Sequence, residues 1–513
     1  MTPENFIAKP WDKGSAHPLY EDSFLNMRPA PEYASGEVLL ASLYRNVGFG
    51  QSVSEGATSQ RGRDLMKRIE KQRGRPAATS DALAVDSWEA IVCRSLSSPK
   101  QPNQASSRYL QICPLVPDAA IYSLSARLAS NTWNPGSLVA KVIDFGSPTA
   151  PAAAELWEQV FMRLGIEEDE DVWARFLQGQ FEKWRPKELR DEWRSANLFK
   201  PSESVARWNA SRCDIPADRF VNDLKHVLQL KGSLTRRQWV SMLESILRIG
   251  TASHVLWLCH ANSHCLELLS SALQGRDTPS RDEFARTLSG KNAFWRYGQK
   301  ASQGIQSAAR GFVVARAGLN LLLWHCQQLH EKGKLLLPNG ALENLDSLLA
   351  FAATLKDARN EFPFAEFRGG LQAALEVDPR IVACKRGISS NVSEFLGHVL
   401  RQRQTSEPGM GSYDQGFYLR KDGRHASAPW IVSLGPVAVM ALVHCCVRSG
   451  RGPRTVEDLC RHLACYGVEA RARDVADGDL GHTLRNLGLV LDSPDAEGGM
   501  VLFSPLNKPD RIK

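Results

Sequence analysis

The chain has 513 residues, 43% of them apolar and 23% charged, with 63 basic against 56 acidic side chains for a formal charge of +7. These values suit an ordinary globular chain of roughly two to four domains, and they exclude a disordered, collagen-like or histone-like polybasic class. Eleven irregularly spaced cysteines, with no apolar leader in Met1–Tyr20, point to reduced thiols and a cytoplasmic setting.

Residues 1–110 are rich in turn formers, with helical patterning at Val38–Tyr44 and Asp64–Lys71. The segment Arg61–Arg75 carries Arg61, Arg63, Lys67 and Arg68 among its basic residues. It reads either as a phosphate-contacting arm or, more commonly for basic runs, as a solvated helix and loop. Tyr109–Pro114 and Val139–Phe145 look like short buried strands and suggest a small α+β element.

Residues 111–403 are expected to form a mostly helical core domain. Leu156, Val160 and Leu164 mark one stripe, and Val172, Phe176 and Trp184 another behind the acidic cluster Glu167–Asp171. Trp239, Leu243, Ile246 and Leu247 mark a further helix. Leu266, Leu269 and Leu273 mark the next, and Leu342, Leu345, Leu348, Leu349 and Ala352 another. Five tryptophans between Trp157 and Trp208 read as packing residues, and no fixed repeat period is present. The apolar runs Phe312–Trp324 and Leu434–Val447 are broken by Arg316 and His444. Both fall short of the roughly 20 residues a bilayer requires, so no membrane is expected.

Residues 404–428 read as a linker and loop, and 429–513 as a winged helix-turn-helix domain. Gly435-Pro436 starts the first helix, with proline where its missing N–H costs nothing. Thr455 and Asp458 form a capping-box pair for the second. Asp477 or Asp479 caps the third, which Gly488 stops after Leu480, Leu484 and Leu487. Leu489–Leu491 and Met500–Phe503 then flank a turn-rich segment as a hairpin. The expected fold class is therefore mainly α: a multi-helical array with a small α+β N-terminal part and a C-terminal winged helix-turn-helix domain.

Motifs for catalysis are missing. There is no phosphate-cradling glycine loop, no nucleophile elbow and no H-E-x-x-H helix. Asp144-Phe145-Gly146 lacks every partner motif of a kinase. Cys259-His260-x-x-x-His264-Cys265, with His325, Cys326 and His330, has helical spacing for two imidazole ligands but no C-x-x-C partner, and helix packing explains it better. The same holds for His444, Cys445, Cys446, Cys460, His462 and Cys465. No cofactor or metal is expected, and an enzyme is disfavoured.

On the third terminal helix His482, Thr483, Arg485 and Asn486 lie off the apolar stripe, and arginine and asparagine can read base edges. Arg448, Arg451, Arg454, Arg461, Arg471 and Arg473 could hold phosphates, extended upstream by Arg401, Arg403, Arg420, Lys421 and Arg424. Opposing this, residues 429–513 carry ten basic and ten acidic side chains, with Asp495 and Glu497 on the wing turn. The expectation is a non-catalytic, nucleic-acid-associated subunit of a larger complex contacting double-stranded DNA, in DNA processing, regulation or anti-phage defence. The alternative is a helical scaffold whose terminal domain docks a partner protein, and a third is a hydrolase or nuclease with a non-sequential active site.

Overall fold

The computed structural model describes residues 2–8, 10, 14–27, 36–49, 114–121, 135–184, 193, 215–289, 294–340, 342, 344–377, 388–402, 415–423, 425, 427–450, 452–472, 475, 478–491 and 500–506. The basic segment at Arg61, Arg63, Lys67 and Arg68 and the Tyr109–Cys113 part of the expected strand lie outside them. Helices dominate, and one continuous apolar core runs from Phe6 to Leu502.

The N-terminal residues form α1 (Pro3–Ala8), α2 (Pro18–Glu21) and α3 (Gly36–Tyr44), the last prolonged by a π-turn at Arg45–Phe49. A 3₁₀ turn at Pro117–Ile121 follows. Next come α4 (Pro135–Gly146), α5 (Ala150–Leu164) and α6 (Val172–Trp184). The strand expected at Val139–Phe145 is thus helical. Leu138, Val142 and Phe145 repeat at helical spacing, as do Val139 and Ile143, and all five are buried. A short stretch with several β-branched residues fits either a strand or a helix, and here packing of one face against neighbouring helices decides, with Lys141 left exposed.

In α5 the stripe of Leu156, Val160 and Leu164 faces the core as expected. In α6 the expected stripe is reversed. Val172 is 74% exposed and Trp173 and Phe176 are each 37% exposed, while Ala174, Leu177 and Phe181 are buried. Asp171 fixes this rotation. One of its carboxylate oxygens accepts from the Ala174 amide at 2.8 Å and the other from the Arg236 amide at 2.7 Å.

The centre of the molecule is α7 (Pro216–Gln229), α8 (Arg236–Leu273), α9 (Arg281–Thr287), the short strand β1 (Trp295–Arg296) and α10 (Ser302–Glu331). The two stripes expected as separate helices at Trp239–Leu247 and Leu266–Leu273 belong to one helix, α8, of 38 residues. From Met242 to Cys259 its buried residues cover all faces, so it is the axle of the fold, whereas His260, Ser263, His264 and Glu267 mark a more exposed side beyond. Thr235 and Gln238 close its N-terminus with a reciprocal capping box. Gly250 lets α7 cross closely, because any side chain there would meet the Phe220 ring. Around α8 and α10 pack α11 (Leu345–Asp357), α12 (Phe364–Val377) and α13 (Ile388–Leu400).

Part of the expected linker is structured. Leu419–Lys421 (β2) pairs antiparallel with Trp430–Val432 (β3). Buried Tyr418 bonds Ser245 of α8, its hydroxyl 3.0 Å from the serine hydroxyl and 3.1 Å from the serine carbonyl. The C-terminal segment continues with α14 (Pro436–Arg448), β4 (Arg454–Thr455), α15 (Val456–Cys465), β5 (Val468–Glu469), α16 (Asp479–Asn486), β6 (Val490–Leu491) and β7 (Val501–Leu502). Strands β4, β7 and β6 form a three-stranded sheet in that order, with both pairings antiparallel.

Two devices seat this segment on the helical body. Strand β5 pairs in parallel with β1. Helices α14 and α15 press on α7, where the Tyr466 hydroxyl donates to Asp223 Oδ2 at 2.7 Å and His462 Nε2 lies 2.7 Å from the same oxygen. None of these side chains is more than 4% exposed. No helix among the described residues is long and apolar enough to cross a membrane.

Candidate nucleic-acid interface

Helix α16 is short and amphipathic. Leu480, Gly481 and Leu484 are buried against the segment's own core, while His482, Arg485 and Asn486 are exposed. These three sit at positions i, i+3 and i+4, so they share one face of the helix. Thr483 is half-buried, and its hydroxyl donates back to the Asp479 carbonyl at 2.8 Å, which occupies its donor.

The helix start differs from expectation. Gly478, extended at φ −100°, is the N-cap without a side-chain bond, and Asp479 is the first helical residue. Asp479 there favours the positive end of the helix and pairs with Arg420 of β2 at 2.8 Å. Asp477 lies outside the described residues. The stop is as expected: Gly488 adopts φ +64°, and the Leu489 amide donates to the Leu484 carbonyl at 2.9 Å.

The flanking arginines divide into two kinds. Arg448, at the end of α14, and Arg471, after β5, are exposed. Arg454 and Arg461 both turn onto Asp458, at 3.3 and 2.8 Å from its Oδ1. Burial would raise the Asp458 carboxyl, but the Thr455 amide and hydroxyl, then Arg461 and Arg454, hold it below its ordinary value. Asp458 therefore caps α15 and neutralises part of the charge expected to face phosphate. Arg485 Nη2 lies 3.3 Å from Met500 Sδ, which lays the guanidinium along the hairpin. Arg451 and Arg473 lie outside the described residues, as do Arg403 and Arg424.

Upstream, Arg401 and Lys421 lie over the Trp430 ring, at 4.9 and 5.7 Å from its centroid. With Arg420 paired to Asp479, the three described residues of the expected upstream phosphate track are engaged in internal contacts. The described part of the hairpin exposes two apolar side chains, Leu491 at 62% and Phe503 at 47%. The wing acids Asp495 and Glu497 lie outside the described residues.

The cysteine–histidine cluster on α8 does not converge on an ion. Cys259 and Cys265 are buried, and burial pushes both thiols up. His260 stacks on Phe294 at 5.0 Å, and His264 is 3.7 Å from Glu267. On α10, His325 meets Phe362 and Phe367 edge-on, while His330 Nδ1 is 3.0 Å from the Leu335 carbonyl.

One set of donors that local spacing did not indicate does converge. A carboxylate oxygen of Asp223, a ring nitrogen of His226 and Cys445 Sγ all lie within 4.8 Å of one another, at the junction of α7 and α14. The only sequence signal is the i, i+3 pair Asp223 and His226, which is common on helices. The cysteine is more than 200 positions away, so only the fold brings it there. No protein-family model matches the chain, and no curated protein matches it.

Proposed function

We propose that this chain is a non-catalytic subunit that associates with nucleic acid within a larger assembly, and that residues 429–513 act as a winged helix-turn-helix whose third helix, α16, approaches double-stranded DNA. The reading rests on one observation above others: His482, Arg485 and Asn486 share an exposed face, backed by buried Leu480 and Leu484. The order helix, strand, helix, strand, helix, hairpin, with β4, β7 and β6 in one antiparallel sheet, supports it. Exposed Arg448 and Arg471 supply charge for phosphate contacts.

The test is a titration of the full chain with fluorescent duplex DNA at several salt concentrations. Binding should weaken linearly in log–log form as salt rises, with a slope reporting a few phosphate contacts. Arg485→Ala should weaken binding by about 5- to 100-fold and relax sequence preference, the range expected for loss of a base-edge contact. Absence of duplex binding even at low salt would overturn the reading.

A second reading, a helical scaffold that docks a partner protein, is favoured by exposed Leu491 and Phe503. It predicts that replacing both with serine releases a co-purifying protein while leaving any duplex binding unchanged.

A further inference from the structure

We propose that Asp223, His226 and Cys445 form a site for a single zinc-class divalent metal ion that clasps the C-terminal segment to the helical body. The three donor atoms lie within 4.8 Å of one another, a spread that small side-chain rotations bring to the separations of a tetrahedral centre. Two of the donors have an unused atom in the interior. Asp223 Oδ1 and His226 Nδ1 are buried with no hydrogen-bond partner, and Asp223 itself is 0% exposed. A buried carboxylate oxygen left unpaired is costly, and Asp223 carries one while its carboxylate lies within reach of a thiol and an imidazole.

The other carboxylate oxygen is held. Tyr466 donates to Asp223 Oδ2 at 2.7 Å, and His462 Nε2 lies 2.7 Å away. This gripping of one oxygen orients the other, as partners of ligating carboxylates commonly do. Cys445 is on α14, its sulfur 3.5 Å from the Asp223 carbonyl, so its donor already sits beside α7.

The mixed oxygen, nitrogen and sulfur set suits zinc better than magnesium or calcium, which take oxygen donors. On binding, the Cys445 thiol loses its proton to solvent and the sulfur forms the bond to the metal. One carboxylate and one thiolate balance the charge of a dication, with the Arg219 guanidinium as a further cation facing Asp223 and Cys445. His226 is half-buried, and with His462 engaged on Asp223 Oδ2 the fourth position falls to water. The ion would bridge α7 to α14 over a separation of more than 200 residues, which makes it a structural clasp.

The first measurement is metal content of the full chain purified without chelator, then reloaded with zinc and dialysed. About one zinc per chain is expected. X-ray absorption at the zinc edge should show a single sulfur neighbour at about 2.3 Å with nitrogen or oxygen at about 2.0–2.1 Å. A stoichiometry near zero after loading, or bound zinc with no sulfur neighbour, overturns the site. Cobalt substitution should give a near-ultraviolet thiolate charge-transfer band that Cys445→Ser abolishes and Cys446→Ser retains. Persistence of the band in a folded Cys445→Ser variant refutes the assignment. If that variant does not fold, the absorption spectrum of the unmodified chain decides alone.

Discussion

Single residues show where interior packing dictates protonation. His254 on α8 is fully enclosed, stacked on Trp257 at 5.9 Å and tilted against Phe145 at 5.5 Å. Burial, with Lys141 nearby, pushes its ring down to about 3, and burial brings His17, at the start of α2, down to about 4. Both rings are neutral in the folded chain and titrate near 6.5 when unfolded. Between those values the unfolded state binds more protons, so stability is full above about pH 6.5 and falls as pH drops. The slope is on the order of 1 kcal/mol per pH unit per group. Urea midpoints should therefore fall between about pH 6.5 and about pH 5, above the range where carboxylates titrate. His254→Leu should lower that slope by about 1 kcal/mol per pH unit, leaving the part carried by His17 and the other buried histidines. An unchanged slope in the variant would show that His254 is not the group responsible.

Secondary-structure elements show which signals are local. The caps at Pro436 and Thr455–Asp458 and the stop at Gly488 were legible, because each depends on a few adjacent residues and a fixed hydrogen-bond pattern. Val139–Phe145 misled because seven residues taken without Leu138 are too short a window, and the helical spacing of Leu138, Val142 and Phe145 emerges only over the longer one. The single α8 was hidden because its middle, Met242–Cys259, is buried on every face and has no polar stripe to join the two ends. On α16 the exposed trio followed from helical period, whereas the placement of Cys445 beside α7 depends on tertiary packing. The junction of β5 with β1 offers a sharp test. Gly467 sits at φ +75°, and a side chain there would meet the Phe294 ring. Gly467→Ala combines left-handed strain with a ring clash, and it should lower stability by about 2–4 kcal/mol. Thermal unfolding measures this. A loss below about 1 kcal/mol would mean that the junction yields at little cost.

At the scale of the whole molecule, the C-terminal segment is not a detachable reader tethered to a scaffold. Helix α14 buries residues around most of its circumference: Ala438, Val439, Ala441, Leu442, Val443, His444, Cys445 and Cys446. One side serves the segment's own core through α15 and α16, and the other is covered by α7 and α8. A helix apolar all round requires cover on both sides. Excising residues 429–513 would strip Asp223 from His462 and Tyr466, leaving two buried polar groups without their partner, and would unpair β5 from β1. The fragment should therefore lack a cooperative thermal transition and a dispersed amide spectrum, whereas in the full chain this segment should melt together with the helical body. A sharply melting, well-dispersed fragment would contradict that coupling. If the coupling holds, α16 is presented at a fixed angle to the helical body. The exposed face of α16 is then set in orientation by the whole molecule and not by the terminal segment alone.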